Sequence, residues 1–215
     1  AMDATSLCST ALCTAAVGNT VPGTAFDIDT VNRTLLSAII KPNILLKPNA
    51  ELPITTFNIT FRVGSADDPK GREGLATLTA ALLRQGGVAA WQGLPAKNRA
   101  QIEEFLFPYG AEIDLSVEKE QTSFQVTTVS ADAETIFQVL AQMILAPAFQ
   151  VAEFERIRAE LLDAIEKRAP RESQEDLGKF ALDRQTFGEH HPYSHLTIGT
   201  TQAMKLITLD DVKNF

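Results

Sequence analysis

The chain has 215 residues, of which 45% are hydrophobic and 21% charged. That length suits one sizeable domain with a buried core or two very small ones, and that hydrophobic fraction excludes a disordered chain. A formal net charge of −8 and a sequence pI near 4.9 argue against nucleic acid or an anionic membrane as the main partner; no apolar run approaches the ~18 residues of a membrane span.

Residues 1–25 read as an irregular leader, since they show neither helical nor strand periodicity. Cys8 and Cys13, the only cysteines, lie there. They either pair across a short loop in an exported protein or remain two thiols, and neither has a neighbouring His or basic residue to activate it. The leader has no basic residue before Arg33, so it lacks the positive start of a signal peptide. Residues 33–41 (RTLLSAIIK) read as a strand. In residues 54–63, Phe57, Ile59, Phe61 and Val63 alternate with Asn58, Thr60 and Arg62, the pattern of a strand with one buried face. Residues 64–71 (GSADDPKG) form a turn-rich loop. Leu75, Leu78 and Leu82 then mark a helix that Gly86-Gly87 ends. A loop over 87–95 leads to a second helix over 96–107, with Ile102, Phe105 and Leu106 inward and Pro108 and Gly110 as the stop.

Ile113, Leu115 and Val117 alternate in one strand; Phe124 and Val126 mark another, with Glu118-Lys119-Glu120 between them as a polar hairpin turn. Helices follow. Ile136, Leu140, Met143 and Ile144 mark one, closed by Pro147; Phe154, Ile157, Leu161, Ala164 and Ile165 mark a longer one, closed by Pro170. Leu177, Phe180, Ala181 and Phe187 mark a third between Ser173 and Gly188, and Thr208 to Asp211 has the capping hydroxyl and acidic first turn of a helix start. Two strands, two helices, two strands and then helices predict an α+β fold, with helices covering one face of a mostly antiparallel sheet.

Four segments in this order carry a family resemblance: ELPITTFNITFRVGSADDPKGREGLATL, the EKEQTSF hairpin, PAFQVAEFERIRAELLDAI and GEHHPYSHLTIGTTQAMKLITLDDVKNF. With the strand at 33–41 they resemble the pitrilysin/insulinase family of peptidases, which includes the mitochondrial processing peptidase and the core proteins of respiratory complex III. The resemblance implies the α+β fold of the processing peptidase's metallohydrolase domain. Active members carry H-x-x-E-H on the first helix. Its two His, four residues apart on one face, bind zinc; the Glu polarises the zinc-bound water; a Glu from a later helix completes the site.

Laid on this chain, the first His falls at Thr77, the catalytic Glu at Ala80 and the second His at Ala81. The later Glu falls at Ala164, or one turn away at Glu160 or Glu166, and a further family Glu falls at Ile157. A catalytic zinc needs three donors from His, Cys, Asp or Glu. Alanine offers none, and a Thr hydroxyl is a poor ligand. The expectation is therefore a former metal pocket refilled as core, with no catalytic residue, no zinc and no other cofactor.

Other features of the chain are rival candidates for a site. His190, His191 and His195 cluster, which can signal a metal site, but neighbours in an extended segment point in different directions and loop packing is the expected role. Glu103-Glu104 and Asp210-Asp211 read as solvated helix faces, and Gly86-Gly87 lacks the following G-K-[ST] of a phosphate loop. Asn32 and Asn58 begin sequons of a kind frequent by chance. Trp91, in a Gly/Pro loop, serves either as an interface anchor or as a cover for its own domain.

The resemblance implies a non-catalytic subunit or half of a peptidase complex, whose refilled face and strands near Leu115 to Phe124 enclose or bind peptides. The alternatives are a scaffold protein without peptide affinity and a hydrolase using a non-family site. Expected partners are an active zinc-bearing family member or a second copy of the chain, and extended peptides. Residues 26–215 read as one peptidase-family domain cut before its last strand and a second similar domain; an open sheet edge there favours dimers. An exported or periplasmic location accords with the resemblance.

Overall fold

The computed structural model describes residues 13–18, 43–47, 52–168, 174–189 and 191–215. The expected strand at 33–41, together with Cys8, Asn32, Ser173 and His190, lies outside the described residues. The chain divides into two compact units. One comprises Gly86–Ser116, Ser123–Ala148 and the described part of Ala1–Arg62; the other comprises Val63–Gln85, Val117–Thr122 and Phe149–Phe215.

The first unit carries a sheet of β1 (Cys13–Gly18), β2 (Asn43–Lys47), β3 (Ile54–Phe61), β4 (Glu112–Val117) and β5 (Thr122–Val129), in the order β2-β1-β3-β5-β4. Strand β1 pairs parallel with β2 and antiparallel with β3. β3 and β5 also run antiparallel: the Ser130 N–H donates to the Pro53 carbonyl (2.9 Å), and the Thr56 and Thr127 hydroxyls meet at 2.9 Å. The expected period-two pattern decides which face is buried. Thr55, Phe57 and Ile59 of β3, Ile113 of β4, and Phe124, Val126 and Thr128 of β5 are buried, while their alternates reach the other face.

Two helices complete this unit: α2 (Arg99–Leu106) and α3 (Ala133–Leu145), numbered after α1 (Leu75–Gln85) of the second unit. Nine residues of α3 are buried, and its Phe137 ring lies 5.2 Å from that of Phe57. Each such buried aromatic or aliphatic side chain contributes about 1.5–3 kcal/mol. The buried Gln142 amide of α3 donates to the carbonyls of Ala89 (2.7 Å) and Pro95 (3.0 Å), which fixes the loop around Trp91. Trp91 is half-buried, and its backbone pairs with Leu94 to close a tight turn.

One expectation is corrected. Cys13–Gly18, read as irregular leader, is a strand with neighbours on both sides. The sequence CTAAVG has no alternation of apolar and polar residues. Its state is set by distant partners: Ala15 stands opposite Ile44 on one side and Ile59 on the other.

The second unit holds α1, α4 (Val151–Asp163), α5 (Gln174–Phe187), α6 (Thr201–Leu206) and α7 (Leu209–Asn214). Helix α1 starts where the Asp68 carboxylate accepts the N–H groups of Gly74 (2.7 Å) and Ala76 (2.8 Å), two of the donors that a helix start leaves unpaired. It stops before Gly87, whose φ of +80° suits a glycine. Helix α5 likewise stops at Gly188, with φ +85°. Helix α4 runs on into a π turn, Ala164–Arg168, which its sequence does not announce. Among the described residues no helix is long and apolar enough to cross a membrane.

The start of α7 is a capping box. The Thr208 hydroxyl accepts the Asp211 N–H (3.1 Å), and Asp211 accepts the Thr208 N–H (2.8 Å). The Thr208 N–H, then its hydroxyl and the Arg72 guanidinium at 3.2 Å, hold the Asp211 carboxyl below its ordinary value of 3.8. A carboxyl depressed by folding stabilises the protein above its unfolded value and loses that contribution as the pH falls through its lower folded value. Asp211→Asn is expected to lower the urea midpoint at pH 7. Repeating the titration at stepwise lower pH should show the gap to the unsubstituted chain closing below the ordinary value of 3.8.

Candidate functional site

Every position singled out for metal chemistry lies in the second unit. Thr77, Ala80 and Ala81 sit at i, i+3 and i+4 on α1, and so on one helix face. Thr77 is half-buried, and its hydroxyl donates to the Thr197 carbonyl at 2.6 Å. Ala80 and Ala81 are buried, at 2% and 8% exposure. Ala81 belongs to an apolar cluster with Leu75, Leu78 and Leu82 of its own helix, Phe154 and Ile157 of α4, and Met204, Ile207 and Val212. So Ala81 and Ile157, two positions where the family resemblance places polar residues, share one hydrophobic core.

Ala164 departs from the sequence expectation. It does not line the facing helix as Ile157 does; it opens the π turn and is half-buried, while its neighbour Ile165 packs against the cluster. A π turn adds a residue per turn and shifts the face that follows. The alternative carboxylates both have cations: Glu160 pairs with Arg156 at 2.7 Å, and Glu166 with Lys205 at 3.7 Å. No group of three His, Cys, Asp or Glu placed to hold a metal ion occurs among the described residues.

The loop after α5 is held to α1 by close backbone approach. A Cβ on Gly199, which has φ +86°, would stand 2.0 Å from the Glu73 carbonyl oxygen, and one on Gly74 2.6 Å from that of Ile198. This contact delivers the Thr197 carbonyl to Thr77. Sequence reasoning assigns neither glycine; their signal is steric and appears only once the two segments are brought together.

Two histidines of the HHPYSH segment are described. The His191 ring stacks on Phe187 (centroids 4.9 Å apart, 23° between planes) and meets Tyr193 edge-on, and its Nδ1 accepts the Tyr193 N–H at 3.2 Å. His195 is nearly buried. Its Nε2 lies 2.8 Å from the Ser65 carbonyl, and since a carbonyl only accepts, this nitrogen carries the proton. The same nitrogen is 3.7 Å from the buried Asp68 carboxylate. The Lys119 ammonium donates to the His195 carbonyl; burial pushes its pKa down, against Asp183 and Asp68. The Tyr193 hydroxyl donates to Glu120. A cavity of about 510 Å³ is lined by Asp68, Arg184, Glu189, His191 and His195 among others. The His191 ring is engaged in ring packing, His195 ties its loop to Ser65, and the Ser194 hydroxyl donates to the Gly188 carbonyl at 2.5 Å.

The remaining rivals have local roles. Asp211 caps α7, and Gly86-Gly87 ends α1. Asn58 lies within β3, where it accepts the Thr60 hydroxyl at 3.2 Å.

A family model described as Insulinase (Peptidase family M16) matches residues 43–191. The Non-peptidase homolog YmxG of Helicobacter pylori (strain ATCC 700392 / 26695) is 26% identical over 176 residues, which cover 80% of this chain and 38% of that protein. Among solved structures, a peptidase M16 inactive domain from Pseudomonas fluorescens matches with a TM-score of 0.65 and 26% identity, over 76% of this chain and 37% of the other. A protease from Helicobacter pylori matches with a TM-score of 0.62 at 17% identity, again over 76% and 37%, a likeness of fold. The chain thus spans less than two fifths of the length of these relatives.

Removing the Thr77 hydroxyl with Thr77→Val should lower stability by about 1 kcal/mol, the worth of one hydrogen bond. Gly199→Ala, which forces both a clash and a strained φ, should cost about 2–4 kcal/mol. Thermal denaturation of the two variants ranks them; equal midpoints would show that the loop is not held to α1 by this approach.

Proposed function

The chain belongs to the insulinase family, peptidase family M16, and from that premise we propose that it is a non-catalytic member acting as a subunit or half of a peptidase complex. One observation carries this reading. The helix face that would present His, Glu and His presents Thr77, Ala80 and Ala81, and Ala81 packs with Ile157 of α4 in an apolar cluster. Replacing buried ligands by packed apolar groups preserves a fold at little cost, whereas a metal site with one ligand missing is unstable. Two relatives are described as a non-peptidase homolog and as an inactive domain, which supports the same reading.

In this reading the chain contributes shape and binding surface. Strand β4 is at the edge of the sheet, so its outer backbone groups are free to pair with an extended segment. An active, zinc-bearing family member supplies the hydrolytic site.

The purified chain is expected to contain no stoichiometric zinc and to cleave no peptide library. Mixed with a zinc-bearing M16 chain from the same organism, it should form a stable complex on gel filtration or raise that partner's cleavage rate. If the mixture shows no complex and no change in rate, the proposal fails. Cleavage by the chain alone, abolished by a chelator, would overturn it more directly.

A further inference from the structure

The cavity of about 510 Å³ lies wholly within the second unit and has the size of a small-ligand pocket. Residues 68–73 and 189–200 build most of it, with Phe180 and Arg184 of α5. The two segments are held together before any ligand arrives. The Gly199 backbone lies against the Glu73 carbonyl with no room for a Cβ, and His195 Nε2 stands 3.7 Å from the Asp68 carboxylate.

Some of the lining groups are already engaged. Arg184 pairs with Glu189, and both Asp68 carboxylate oxygens accept N–H groups at the start of α1. Four others have capacity left. The Lys70 ammonium makes no hydrogen bond or ion pair among the described residues. Glu73 uses Oε1 to accept the Gly71 N–H at 2.9 Å, which leaves Oε2. His191 accepts the Tyr193 N–H on Nδ1, so its ring is neutral and its proton sits on Nε2. The Thr200 hydroxyl accepts the Ala203 N–H at 3.2 Å and still has its own proton to donate. The remaining capacity is therefore three donors, one of them a cation, and one anionic acceptor. Phe180, Pro192 and Leu196 add apolar surface to the same cavity.

We infer that this cavity binds a free α-amino acid with an apolar side chain. Lys70, His191 and Thr200 take its carboxylate, Glu73 takes its ammonium, and the apolar residues receive its side chain. A simple anion would meet Lys70 but bring its charge towards Glu73. A simple cation would meet Glu73 but be repelled by Lys70. A ligand that carries both charges satisfies both groups, and the opposed charges act against ligands that carry one. The inference does not rest on the non-catalytic reading above.

The test titrates the isotope-labelled full chain with L-leucine, leucine amide and N-acetyl-leucine, and follows the backbone amide shifts by NMR. Leucine amide lacks the carboxylate, and N-acetyl-leucine lacks the ammonium. Leucine should bind about fivefold tighter than either analogue, the upper worth of one exposed ion pair. Glycine should bind more weakly than leucine, since it has no side chain to bury. The shifts should fall on residues 68–74 and 188–200. Lys70→Gln should bring leucine down to the affinity of leucine amide without weakening leucine amide itself. Glu73→Gln, which keeps an oxygen for the Gly71 N–H, should do the same relative to N-acetyl-leucine.

Equal affinities for leucine and its two analogues would overturn the inference. So would shifts confined to other parts of the chain, or no shift up to the solubility limit of leucine. A leucine preference that survives both variants would overturn it as well, because the charges would then come from elsewhere. None of these outcomes touches the non-catalytic reading, which stands on zinc content and complex formation.

Discussion

The apolar seam between Leu75–Gln85 and Val151–Asp163 is the contact on which the second unit depends. Leu78, Ala81 and Leu82 meet Phe154 and Ile157 there, and Met204, Ile207 and Val212 close the same cluster from the short helices that follow. Burial drives this association without direction or charge. It requires only that the facing residues be small or apolar enough to fit, which the alanines on α1 ensure. Thr77, on the same face, keeps a polar group, and a carbonyl stands 2.6 Å away to accept its proton.

That carbonyl comes from Thr197, 120 residues further along the chain. Its position rests on the approach of Gly199 and Gly74, where backbone meets backbone with no room for a Cβ. His195 and Lys119 add further ties, one to Ser65 and the other to the His195 carbonyl. Residues that look in sequence like a cluster with chemical potential are, in space, fasteners for a loop. The His195 Nε2 proton and the Lys119 ammonium are engaged in these ties.

Sequence patterns revealed those parts of the fold whose signals are local. The alternation in Ile54–Phe61 gives both the strand and its buried face, and Gly87 marks a helix end because its φ is positive. Strand β1 was illegible because CTAAVG carries no pattern of its own and owes its state to Ile44 and Ile59. The π turn at Ala164 was illegible for a related reason. It is a one-residue adjustment of hydrogen bonding at the end of a helical stretch, and no residue type in AIEKR marks where it begins. The short helix Thr201–Leu206 is too brief for periodicity to show. At the candidate site, the residue types at Thr77, Ala80 and Ala81 could be read directly; the acceptor of Thr77 and the neighbours of Ala81 could not.

The two regions proposed to matter obey opposite rules. The face around Ala81 is closed, since Ala81 packs in the apolar cluster and the Thr77 hydroxyl has its acceptor, and a new charge placed in it would have no partner there. The outer face of β4 is open, with Glu112 and Asp114 exposed on it. A chain of net charge −8 that kept such an edge apolar would be exposed to pairing with any strand, its own copies included. Packing at the helix face and charge on the edge strand are separate features, because neither Glu112 nor Asp114 belongs to the cluster that holds Ala81.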